Sequence, residues 1–137
     1  MSLPSAEVRA VFAQYSDRQQ KLLSRLRVLI YTTAKADPRI GSVVETLKWG
    51  QPAYLTESPK SGTTVRIDAV GATDCAVYVS CQTTLIESLR VVFPNERYQK
   101  NRALWLDVND STSAAAALIE MALTYHLSRK FVSQRFA

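Results

Sequence analysis

Five side chains near the middle of the chain have the chemistry of a binding site: Lys48, Trp49, Gln51, Tyr54 and Arg66. Trp49 and Tyr54 each bring a flat apolar wall with one hydrogen-bond donor. Lys48 and Arg66 bring positive charge, and Gln51 brings an amide. Apolar walls with a few converging polar groups make up small-ligand pockets. A pocket is therefore expected where the corner from Lys48 to Tyr54 meets the rest of the fold. Its ligand would be small and acidic or aromatic. The competing reading is packing, in which both rings close the end of a core and Lys48 is a solvated charge. The sequence leaves both open.

Catalytic groupings are harder to find. Glu45 lies beside Lys48, yet Ser42 precedes it by three residues, which is the spacing of a helix capping box. His126 is the one histidine and falls at the edge of an apolar helical face. With no second histidine, H-E-x-x-H is excluded, and no G-x-S-x-G elbow is present. The stretch from Lys60 to Thr64 has the end of a phosphate loop but not its first glycine, and it leads into a strand. The four glycines, at 41, 50, 62 and 71, form no G-x-G-x-x-G. Cys75 and Cys81 have five residues between them and form no C-x-x-C, so neither a redox pair nor half a zinc site is indicated. The expectation is a protein that binds rather than catalyses, with no catalytic residue, no metal and no cofactor.

The chain has 137 residues, 47% hydrophobic and 21% charged, which is ordinary globular usage and predicts one domain over residues 1–137. The net charge is +5. Residues 1–60 carry nine Lys/Arg against five Asp/Glu, and the rest carry eight against seven. The surplus favours encounter with anions. Arg18, Lys21 and Arg25 share a helix face, and Arg97, Lys100 and Arg102 cluster with Tyr98. Neither group is the dense basic stripe of a nucleic-acid reader, so nucleic acid is not an expected partner. No leader-like apolar segment follows Met1, and no run nears the ~20 apolar residues of a membrane span. A cytoplasmic protein with reduced thiols is expected, monomeric or homodimeric, with a small molecule or a protein as partner.

The elements that position these residues follow from period and punctuation. Val8, Val11, Phe12 and Tyr15 give one apolar stripe, predicting a helix from Pro4 to Tyr15. Ser16 and Gln19 form a capping box that opens a longer helix to Ala36, ended by Asp37-Pro38. Its buried face is Leu22, Leu26, Leu29, Ile30 and Thr33. Ser42 and Glu45 predict a short third helix through Lys48, with Gly50 at positive φ just past its end and Pro52 preventing continuation. Alternation predicts half-buried strands at Val65 to Ala69 and at Val77 to Cys81, with a flexible hairpin tip at 57–62 and a turn at 71–74. Thr84 and Glu87 predict a capped helix from Leu85 to Phe93. A strand follows at Ala103 to Val108, and a last helix runs from Thr112 or Ser113 to Phe131. Helices gathered at the ends around a strand-rich middle predict an α+β fold, an antiparallel sheet packed against N-terminal and C-terminal helices.

The block Glu45-Thr46-Leu47-Lys48-Trp49-Gly50, continued by Pro52-Ala53-Tyr54, resembles the E-T-[IL]-K-W-G-x-P-[AS]-[YF] block of the YdhG-like domains of unknown function. The order of elements is similar over nearly the whole chain. The resemblance implies a YdhG-like, frataxin-type α/β sandwich. Some members of that family are described as frataxin-like iron chaperones, so an intracellular iron chaperone is the alternative function that it implies. This chain departs from the iron role. Its early helices offer Glu7 and Asp17 beside Arg9, Arg18, Lys21, Arg25 and Arg27, whereas hard iron needs several oxygen ligands together.

Overall fold

The computed structural model describes residues 3–127. Ser5 caps a short helix, α1 (Ala6–Phe12), through its side-chain oxygen. Ser16 and Gln19 then close the reciprocal box expected of them and open α2 (Asp17–Ala36). Gln19 does more than cap. Its buried amide donates to the carbonyls of Gly71 and Asp74 at 3.0 and 2.8 Å, tying the start of α2 to a turn between two strands. Helix α1 stops at Phe12, so Tyr15 lies outside it.

Residues 42–48 correct the sequence reading. They form a strand, β1 (Ser42–Lys48), rather than a helix, and β2 (Gln51–Glu57) returns antiparallel to it. Val43, Val44 and Thr46 are β-branched and favour a pleated strand over a helix. Glu45 does not cap anything. Its carboxylate accepts from Arg27 at 2.6 Å and from the Tyr54 hydroxyl at 2.8 Å. Trp49 (φ 52) and Gly50 (φ 75) make the two-residue turn between the strands, with both at positive φ as a type I′ hairpin turn requires. Gly50 thus has the conformation expected of it, in a hairpin instead of at a helix end.

β3 (Val65–Val70) lies where a strand was expected, whereas β4 (Asp74–Tyr78) begins inside the expected turn and ends before Val79 and Cys81; the two pair antiparallel. α3 (Leu85–Val92) follows, but Thr84 makes no side-chain cap bond. Glu87 instead accepts from Asn101. A three-residue strand, β5 (Arg97–Gln99), occupies a stretch read as basic loop. β6 (Ala103–Asp107) pairs with both β5 and β4, and α4 (Ser113–Leu123) follows. α4 ends at Leu123, with Thr124 as its C-cap, short of the predicted end at Phe131, and residues 128–131 lie outside the described residues.

The six strands run β1-β2-β3-β4-β6-β5, each pair antiparallel. This is the α+β arrangement expected, an antiparallel sheet flanked by N- and C-terminal helices. Alternation gives the sheet two unlike faces. Tyr54, Val65, Ile67, Cys75, Val77, Leu104 and Leu106 join one core with Val8, Phe12, Leu22, Leu26, Ile30, Leu89 and Leu118 from the helices. Gln51, Arg66, Asp68, Tyr78 and Trp105 stand on the opposite face by register. Residues 57–60 of the expected hairpin tip are exposed, but its last two residues are tied down. Gly62 and Ser61 are buried, Gly62 N–H donates to Thr56 Oγ1, and Thr63 N–H donates to the Ala122 carbonyl. Among the described residues no helix is long and apolar enough to cross a membrane.

Candidate functional site

The turn that joins β1 to β2 sets up the site. Trp49 is left 87% exposed by it. Its ring is met by Arg66, whose guanidinium carbon lies 5.0 Å from the Trp49 centroid and 5.3 Å from that of Tyr78. One cation therefore stands against two aromatic rings on the face of the sheet opposite Tyr54 and Val65. Arg66 is held by a polar relay. Its Nη1 donates to Gln51 Oε1 at 2.6 Å, and Gln51 Nε2 donates to Asp68 Oδ2 at 3.0 Å. The Tyr15 hydroxyl donates to Asp68 Oδ1 at 2.6 Å. Burial, then the bond to Asp68, push the Tyr15 phenol up to about 12. Burial, then the field of Asp68, also raise Tyr78, against the opposing pull of Arg66 and Arg102.

Beside this relay runs a groove of about 370 Å³ lined by Lys48, Trp49, Thr63, Thr64, Arg66, Val79, Ser80, Cys81 and Arg102. Its walls combine one large ring, three hydroxyls, an exposed thiol and three cations. The ion pairs among the described residues are Arg27–Glu45, Arg39–Asp37, and Arg97 with Asp74 and Asp110. None involves Lys48, Arg66 or Arg102. The carboxylate nearest to Arg66 along the relay, Asp68, is already accepting from Gln51 and Tyr15. Among the described residues no carboxylate forms an ion pair with the groove's cations.

Three of the five expected residues, Lys48, Trp49 and Arg66, meet in the groove. Gln51 stands behind them and orients Arg66. Tyr54 does not belong to the site. Strand alternation turns it to the helix side, where it is fully buried, and its hydroxyl donates to Glu45. Burial, then that hydrogen bond, raise its pKa far above the ordinary phenol range. The correction follows from the hairpin: a strand in place of a helix at 42–48 sends Lys48 and Gln51 to one face and Tyr54 to the other. The sequence reading missed Thr63, Thr64, Ser80 and Arg102 as wall residues. In the sequence Arg102 belongs to the basic group with Arg97 and Lys100. Nothing local connects it to Trp49, because β4 and β6 must pair first.

A larger opening, about 660 Å³, lies along α2 between Asp17, Gln20, Lys21, Ser24, Arg25, Val28, Leu29 and Thr112, and it has no aromatic wall among these residues. His126 packs its ring against Tyr125 at 5.5 Å. Among the described residues no group of three His, Cys, Asp or Glu side chains is placed to hold a metal ion.

No protein-family model matches the chain. No curated protein matches it. In fold the chain is similar to a crystal structure described as a protein from the DUF1801 family, YdhG, of Bacillus subtilis. The two share 16% sequence identity with a TM-score of 0.60, over 85% of this chain and 89% of that one. At that identity the likeness establishes a shared YdhG-like α+β fold.

Proposed function

We propose that this domain is a non-catalytic binding module whose groove takes a small anion carrying a flat ring. The observation that carries the reading is the exposed Trp49 ring beside three cations with which no described carboxylate forms an ion pair. Large apolar side chains at 87% exposure gain little from burial. A tryptophan at positive φ is also a costly choice for a turn. A residue that breaks two local preferences at once, with no packing gain, fits a role in binding. The Trp49 face suits stacking, and Lys48, Arg66 and Arg102 suit a carboxylate or phosphate. Among the described residues that line the groove there is no carboxylate or imidazole to act as a general base toward such a ligand.

Titration with inorganic phosphate, benzoate and phenyl phosphate tests this, read by tryptophan fluorescence and melting temperature. Phenyl phosphate should bind more tightly than either part and raise the melting temperature by linkage. Arg102→Ala removes an exposed side chain and should weaken the response without unfolding the protein. Equal response of the wild type and Arg102→Ala, or no response to any of the three, would refute the reading.

A further inference from the structure

β1 is an edge of the sheet, and the Trp49–Gly50 turn fixes which of its main-chain groups are used. In a two-residue hairpin the residues flanking the turn form a hydrogen-bonded pair, and such pairs recur at every second position. Lys48–Gln51, Thr46–Ala53, Val44–Leu55 and Ser42–Glu57 are therefore bonded across to β2. Val43, Glu45 and Leu47 turn their N–H and C=O groups the other way, off the sheet. No described main-chain or side-chain group bonds to them there. The other edge, β5, is only three residues long. β1 has seven residues in unbroken register, with no proline and no bulge. Long, regular edges of this kind are normally blunted or paired.

We propose that β1 pairs with β1 of a second copy of this chain, antiparallel about a two-fold axis through Glu45. In that register Val43 faces Leu47 of the second copy, Val44 faces Thr46, and Ser42 faces Lys48. All the outward groups are then used, in six main-chain hydrogen bonds. An axis through Val44 or Thr46 leaves Leu47 or Val43 without a partner in the opposing strand.

The side chains point to a second copy rather than an unrelated strand. On the open face, Val44 and Thr46 make β-branched cross-strand pairs. The two Glu45 residues meet at the axis, but each carboxylate is already clamped by Arg27 at 2.6 Å and by Tyr54 at 2.8 Å of its own chain. Like charges there are neutralised in advance. The axis is perpendicular to the sheet, so both grooves open on the same face of one twelve-stranded sheet. Each Lys48–Trp49 corner then borders the start of β1 in the other copy.

Sedimentation equilibrium of the full chain, from micromolar to submillimolar concentration, should give twice the chain mass. Amide hydrogen exchange should slow with concentration at Val43, Glu45 and Leu47. The amides of Val44, Thr46 and Lys48 are protected by β2 at every concentration. Val44→Lys with Thr46→Lys places lysine opposite lysine on both sides of the axis and should leave a folded monomer. Should that pair fail to fold, Thr46→Lys alone, at an exposed position, is the fallback and should weaken the dimer. Val44→Glu with Thr46→Lys places opposite charges face to face only in the proposed register, and should restore the dimer. A wild-type monomer throughout the range, or a dimer unaffected by the lysine variants, would overturn the proposal.

Discussion

Trp49→Asn should make the protein more stable and its groove weaker. The backbone at residue 49 sits at φ 52, in the left-handed region. That conformation costs a non-glycine residue about 1–2 kcal/mol, and asparagine tolerates it best because its short side chain bonds locally. Asn-Gly is also the preferred pair for this turn. Against the gain stands one contact, the Arg66 guanidinium at 5.0 Å, worth about 0.5–1 kcal/mol at an exposed site. Little burial is lost from a ring that is 87% exposed. The balance is a gain of about 0.5 kcal/mol. Urea denaturation followed by far-ultraviolet circular dichroism measures it, with an unchanged m-value showing that the denatured state is the same. The same variant should lose its response to phenyl phosphate. A loss of stability of about 1 kcal/mol or more would refute the reasoning, because the ring would then be packing the fold.

Other perturbations separate core from surface. Glu45→Leu should cost about 3–5 kcal/mol, since it takes a buried carboxylate from Arg27 and Tyr54, whereas Arg27→Met with Glu45→Leu should cost far less. A double-mutant cycle in urea gives the coupling, and near-additive losses would contradict it. Gly50→Ala should cost about 1 kcal/mol through the backbone alone, since a Cβ there meets nothing within 4 Å. Gly62→Ala should cost about 3 kcal/mol or prevent folding, because a Cβ would lie 2.4 Å from the Ala122 carbonyl oxygen. A melting curve within a degree of wild type would show that the 61–64 loop does not seat on α4. Tyr15 is held neutral in the fold, with its pKa raised from 10.0 to about 12. Its contribution is therefore complete below pH 10 and lost as pH rises toward 12. Melting temperature against pH should fall over that window, and less steeply in Tyr15→Phe.

The helices were the legible part of the sequence, and the reason is local. Ser16 and Gln19 satisfy each other's backbone within one turn, so spacing alone identifies them. Ser42 and Glu45 have the same spacing, yet form a strand. There the deciding partners, Arg27 and Tyr54, lie 18 and 9 residues from Glu45. Thr84 and Glu87 fail for a similar cause, since Asn101 takes the carboxylate. A capping pattern is thus a local signal that tertiary partners override. β-branching at 43, 44 and 46 was the available warning. Arg27, a cation on a helix, was read as one more early basic residue, but it is 5% exposed because a carboxylate awaits it from another element. The groove was half legible. Lys48 and Trp49 are adjacent in sequence, while Arg66 and Arg102 reach them only through β3 and β6.

Under the proposed function the block from Glu45 to Tyr54 serves two ends at once, and strand alternation is what divides it. Glu45, Leu47, Pro52 and Tyr54 lie on the helix side. There Glu45 and Tyr54 close a buried network with Arg27, and Leu47 packs against the core. Lys48, Gln51 and Ala53 lie on the other side, with Trp49 and Gly50 turning the chain between them. Ala53 faces Arg66 across the strands, and being small it leaves room for the guanidinium to lie between Trp49 and Tyr78. The two halves should therefore respond differently to substitution. Changes at Glu45 or Tyr54 act through stability and leave the ligand chemistry of the folded fraction unchanged. Changes at Lys48 or Trp49 act on ligand response with little effect on stability. Ala53→Leu is the crossing case: it should keep the hairpin, displace Arg66 from both rings, and abolish binding by the folded protein.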